Sequence, residues 1–136
     1  MATNIFVNLP VKDLDKSKAF FIALGYSFNA QFTDDTAASL VISDNIYAML
    51  LTHAKMKEFT SKEIADATKT TEVIVCLSCE SREAVDSLAD KALAAGGSRC
   101  REPMEYGFMY GRSFQDLDGH IWEVIWMDPS FVQKPE

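Results

Sequence analysis

The chain has 136 residues, 48% apolar and 24% charged, enough hydrocarbon to build the core of one domain. Its formal charge of −7 and lack of any basic run argue against nucleic-acid binding, which draws on Lys/Arg-rich surfaces. No apolar stretch nears the roughly 18 residues needed to span a bilayer, and the start, Met1 to Asn4, lacks a basic or apolar leader. The expectation is a cytoplasmic protein with no membrane partner.

In chain order, Ile5-Phe6-Val7-Asn8-Leu9 reads as a strand ended by Pro10. Asp13 can cap a helix, because its carboxylate can accept from the exposed amides of the first turn. Leu14, Ser17, Phe21 and Leu24 then recur at helical spacing, with Phe20 widening the stripe. Gly25 stands where a helix wants a left-handed residue. Three strands are expected at residues 27–32, 38–42 and 46–51, the last two joined by Ser43-Asp44-Asn45. The polar residues 53–70 read as a linker, with a short helix over 61–67.

The second half repeats this order. A strand is expected at 71–77, and Ser81 can cap a helix carrying Val85, Leu88, Ala89, Ala92 and Ala95 on one face. Gly96-Gly97 ends it, and strands fit 98–101, 110–115 and 121–126. Asp116-Leu117-Asp118-Gly119 forms the last turn. Residues 128–136 read as a tail. The pattern is β-α-β-β-β twice, and an internal repeat carries more weight than any single element. Cys76-Leu77-Ser78-Cys79 spells C-x-x-C, but within a strand positions three apart face opposite ways. The expectation is two small hydrophobes in a sheet, not a redox or zinc pair.

Three stretches resemble one family. Val11-Lys12-Asp13-Leu14-Asp15-Lys16-Ser17-Lys18-Ala19-Phe20-Phe21 is similar to its V-x-D-L-x-x-S-x-x-F-Y opening, and Leu24-Gly25-Tyr26 to its L-G-F. Phe114-Gln115-Asp116-Leu117-Asp118-Gly119-His120-Ile121-Trp122-Glu123-Val124 resembles its F-x-D-P-D-G-x-x-x-E-L ending. The family is the vicinal oxygen chelate superfamily of glyoxalases, bleomycin-resistance proteins and extradiol dioxygenases. The resemblance implies an α+β fold of two βαβββ modules, whose curved mixed sheet surrounds a cavity, within a single domain. Module one would cover about 4–52 and module two about 71–127. It also implies a homodimer.

In metal-using relatives, strand residues of both modules hold one divalent cation. Those positions fall here on Phe6, Met49, Ile74 and Glu123. Only Glu123 offers a hard ligand, so no metal site and no cofactor are expected, a divalent metal being possible but disfavoured. A shift of two residues would bring in Asn8 and Glu72, without an imidazole; His53 and His120 match no ligand position. Glu123 is the candidate catalytic residue, as a general base, or else a structural carboxylate paired with Asn8 or Arg112. Tyr106, Phe108, Met109, Tyr110 and Arg112 surround Gly107 and Gly111. They read either as a flexible aromatic lid, with Arg112 holding an anionic group, or as a cover over the core at a dimer edge. With Asn8 and Glu72, the residues Tyr106, Phe108, Tyr110 and Arg112 are the candidate ligand contacts. Trp122 and Trp126 share parity and should face away from Glu123, onto a helix.

The function expected from this set is small-molecule binding in the module cavity without the family metal. The alternatives are a metal-dependent glyoxalase I-like lyase, an extradiol-type dioxygenase, or a non-catalytic interaction module.

Overall fold

A computed structural model describes residues 2–131. The chain divides into two compact units, with the boundary between Thr70 and Thr71. Residues 53–70 group with the first unit. Among the described residues no helix is long and apolar enough to cross a membrane.

Unit one runs β1 (Ile5–Val11), α1 (Leu14–Ala23), β2 (Ser27–Phe28), β3 (Ala37–Ser43), β4 (Ile46–Thr52) and a single helical turn, α2 (His53–Met56). Its sheet has the order β1-β4-β3-β2, with β1 parallel to β4 and the other pairs antiparallel. Pro10 does not end β1, which continues to Val11. Among the described residues β1 is the outer strand of its sheet, a position where a missing amide is tolerated. Asp13 caps α1 by accepting from the Lys16 amide at 3.0 Å, and Gly25 takes φ +103° just beyond the helix. Alternate residues Leu9 and Val11 of β1, Ala38 and Leu40 of β3 and Ala48 and Leu50 of β4 are buried, as are Leu14, Phe20 and Phe21 of α1. The residues of the other parity in β1, among them Phe6 and Asn8, turn to the other face.

Two further expectations fail in unit one. Only Ser27–Phe28 of the expected strand forms, because Asn29 accepts from the Gln31 amide and opens a 3-10 turn at Ala30–Phe32. No helix forms over 61–67. The Asp66 side chain instead accepts from the Thr68 amide and hydroxyl, at 3.0 and 2.6 Å. This local turn competes with a helical ladder.

Unit two runs β5 (Ile74–Ser78), α3 (Arg82–Ala94), β6 (Ser98–Arg99), β7 (Met104–Glu105), β8 (Met109–Gln115) and β9 (Ile121–Met127). Its sheet has the order β5-β9-β8-β6, with the short β7, not expected from the sequence, also paired to β8. Each unit thus has a parallel outer pair, an antiparallel hairpin beside it and a helix following its first strand. The architecture is α+β with the two-module order expected from the repeat. The Ser81 hydroxyl caps α3 by accepting from the Ala84 amide at 3.0 Å. Val85, Ala89 and Ala92 are buried beneath α3, as are Phe114, Trp122 and Val124 of the sheet, while Leu88 and Ala95 are half-buried.

Candidate functional site

Strand register sorts the second sheet into two faces. On the helix side stand Tyr110, Arg112 and Phe114 of β8, beside Trp126, Val124 and Trp122 of β9. On the other, helix-free side, Glu123 has Cys76 of β5 as one neighbour and Ser113 of β8 as the other. Ile121 and Ile125 flank Glu123 on its own strand.

Arg112 is on the helix side. One guanidinium nitrogen donates to Asp86 Oδ1 at 3.1 Å and to Asp90 Oδ1 at 2.8 Å. These two carboxylates lie one helical turn apart on α3. Their hydrogen bonds hold the Arg112 guanidinium charged and push its pKa up, against the opposing effect of burial. Arg112 is therefore not the partner of Glu123. Tyr110 is tied to the same helix, its hydroxyl donating to Asp86 at 2.6 Å, which pushes the phenol pKa up.

The aromatic segment, expected either as a lid or as a cover over the core, forms a turn tethered by hydrogen bonds. The Arg82 guanidinium pairs with the Glu105 carboxylate and donates to Gly107 O at 3.0 Å. It also lies 5.4 Å from the Tyr110 ring centroid and 5.0 Å from that of Trp126. Glu105 accepts from the Gly107 amide at 2.8 Å, and the Phe108 ring stacks on Phe131 at 4.4 Å. Tyr106 is 61% exposed. The Arg82 hydrogen bond is the main reason that the Glu105 carboxyl is lowered to about 2. Because this folded value lies below the ordinary carboxylate value, the contribution is present above about 4.5 and is lost as pH falls toward about 2. Glu105→Gln should flatten the acid limb of the stability curve in that window. Denaturant titrations at a series of pH values check this, and an unchanged acid limb would refute it.

Glu123 finds its cation in Arg101, a residue that sequence reasoning missed. The Arg101 Nη2 donates to Glu123 Oε2. The carboxylate side chain is 16% exposed and the arginine 45%. No hydrogen bond is found for Glu123 Oε1 or the other Arg101 nitrogens among the described residues. Directly across the strand pair, Ser113 is 8% exposed, and its hydroxyl has no hydrogen-bond partner among the described residues. A buried hydroxyl in that state costs about 1–3 kcal/mol, an unusual concession in the middle of a sheet. On the other side, partial desolvation and the Glu123 carboxylate push the Cys76 thiol pKa up, against the Arg101 charge. Cys76 is therefore a thiol rather than a ready thiolate nucleophile. Cys76 and Cys79 are both free cysteines.

In unit one, the Asn8 side chain is exposed and donates to its own strand at Phe6 O, 3.3 Å away. Its neighbours by register include Met49, and the Phe6 ring stacks on Tyr47 at 4.9 Å. Glu72 is exposed, ahead of β5. Among the described residues no three His, Cys, Asp or Glu side chains cluster as metal donors. The donor set itself does not fit the family ion. Three of its four positions carry the hydrocarbon or thioether of Phe6, Ile74 and Met49, and the fourth, Glu123, already has a guanidinium partner.

Residues 3–43 match the model of the bleomycin resistance protein-like N-terminal family. A hypothetical protein from S. aureus is 30% identical, with 93% of this chain and 95% of that one covered at a TM-score of 0.77. This chain belongs to the glyoxalase/bleomycin-resistance/dioxygenase superfamily, the vicinal oxygen chelate group. A glyoxalase/bleomycin resistance protein/dioxygenase family enzyme from Burkholderia phytofirmans shares the fold at a TM-score of 0.78 and 18% identity, over 93% of this chain and 99% of that one. A fosfomycin resistance protein from Listeria monocytogenes shares it at 0.66 and 17%, over 99% and 96%. No curated protein matches this chain. The shared fold accounts for the two-module order, but one such fold hosts many chemistries.

Proposed function

We propose that this protein binds a small molecule on the helix-free face of its second sheet, around Glu123, without the metal used by many members of its superfamily. The observation that carries this reading is the Arg101–Glu123 ion pair beside the unpartnered hydroxyl of Ser113. A carboxylate that already has an organic cation needs no metal to neutralise it. A buried hydroxyl lacking a partner is a place where a bound molecule gains a hydrogen bond that the free protein lacks. Ile121 and Ile125 supply apolar contact on either side of the polar row. Cytoplasmic location and a homodimer are consistent with this reading and are part of the proposal.

A metal-dependent lyase or dioxygenase would need several oxygen or nitrogen donors on one ion, and the side chains at the family positions do not supply them. Protein purified without chelator should contain no stoichiometric nickel, zinc, iron or manganese by elemental analysis. Calorimetric titration with each ion should show no binding that depends on Glu123. One equivalent of metal that is lost on Glu123→Ala would overturn the metal-free reading and restore the lyase and dioxygenase alternatives.

A further inference from the structure

The three partnered arginines of the second unit differ in how far their hydrogen bonds are used. Arg82 is bonded to Glu105 through two nitrogens and to Gly107 O. Arg112 is bonded to Asp86 and Asp90. Among the described residues Arg101 makes one side-chain hydrogen bond, to Glu123 Oε2, and it is 45% exposed. The pair therefore presents free guanidinium N–H donors next to a free carboxylate acceptor, Oε1. Its two charges are already matched.

Resting on the small-molecule reading above, we infer that the ligand reaches this pair through a neutral amide- or urea-like group, with its C=O on Arg101 and its N–H on Glu123. Such a group carries a donor and an acceptor on one edge, the complement of what the pair offers. A carboxylate would face Glu123 and an ammonium would face Arg101. Either would have to separate the pair and leave one charge uncompensated at a recessed site. The Ser113 hydroxyl can accept from an amide N–H or donate to its oxygen, so either amide orientation can satisfy it. Beside it, Gly111 carries no side chain, and Ile125 and Met104 fill the space where a Cβ would stand. The surroundings of the polar row are thus apolar, suited to the hydrocarbon or aromatic remainder of the ligand.

Three probes of one shape and different charge test this: benzamide, benzoate and benzylammonium, titrated into the full-length ¹⁵N-labelled protein and followed by NMR. Benzamide should shift the Arg101, Ser113 and Glu123 resonances at roughly tenfold lower concentration than either charged probe. Glu123→Gln frees the arginine and should move the preference to benzoate. Arg101→Gln frees the carboxylate and should move it to benzylammonium. A structural role for the pair would not produce this exchange of preference. If benzoate or benzylammonium binds the wild type as well as benzamide at these residues, the amide inference fails and the small-molecule reading stands. If no probe perturbs the helix-free face at any concentration, both fail.

Discussion

Trp122→Ala should cost the second unit on the order of 3–5 kcal/mol, the range for removing a large aromatic from a packed core. Trp122 is 1% exposed, and its indole N–H donates to Asp116 Oδ2 at 2.9 Å. The other oxygen of that carboxylate accepts from the Asp118 and His120 amides, at 2.9 and 3.1 Å. The alanine variant therefore opens a cavity and also leaves a buried carboxylate short of a partner. Trp122→Phe keeps most of the ring and removes the donor, so its loss should be nearer 1–3 kcal/mol. Burial pushes the Asp116 pKa up, opposed by His120, the indole N–H and the Asp118 amide. A carboxyl raised in the folded state favours folding most while protonated, and that contribution is lost as pH rises through its folded value. The advantage of the wild type over Asp116→Asn should accordingly shrink as pH rises. The chain has 2 tryptophans, Trp122 and Trp126, both on β9, so in the Asp116 variants fluorescence reports unfolding of this unit. Circular dichroism serves for the Trp122 variants. A loss below about 1 kcal/mol for Trp122→Ala would mean that the indole is not the centre of this core.

Local signals carried much of the fold. Asp13 and Ser81 cap the helices assigned to them, and Gly25 stands beyond α1 at positive φ. These are short-range effects, decided by a few neighbouring atoms. The errors arose where side chains competed with the backbone. Asn29 and Asp66 each accept from a nearby amide and redirect the chain, converting an expected strand and an expected helix into turns. Pro10 misled in the opposite sense, because a proline stops a strand only where its missing amide matters, and the edge position of β1 depends on the whole sheet.

The site was only partly legible for a related reason. Glu123 could be singled out by its distance from the last turn. Its neighbour could have been found by counting back equally on both sides of that turn. Gln115 pairs with Ile121, so Ser113, not Arg112, stands opposite Glu123. The same parity sends Arg112 and Tyr110 toward α3, where Asp86 and Asp90 sit one turn apart. Arg101 had no comparable signal. It lies between two short strands, and its meeting with Glu123 comes from a loop whose path no sequence period encodes.

Gly111→Val should destabilise the second unit by about 1–3 kcal/mol through overpacking and should also weaken benzamide binding by roughly tenfold or more. A Cβ at Gly111 would stand 3.0 Å from Ile125 Cγ2, 3.4 Å from Met104 Cε and 3.5 Å from the Val124 carbonyl oxygen. Alanine makes only the first of these contacts tight, and it recovers about 0.5–1 kcal/mol because a glycine loses more chain entropy on folding. Gly111→Ala should therefore stay close to wild type in stability. Valine adds two methyl groups against neighbours that already fill the space. Ile125 must turn away, and it borders Glu123 on the face that carries the polar row. Comparing the two variants separates packing from binding. If alanine leaves both stability and benzamide affinity unchanged while valine lowers both, the bare glycine is what lets Ile125 lie flat beside the ion pair. If valine lowers stability alone, the ligand does not use this part of the sheet, and its apolar remainder must rest toward Ile121.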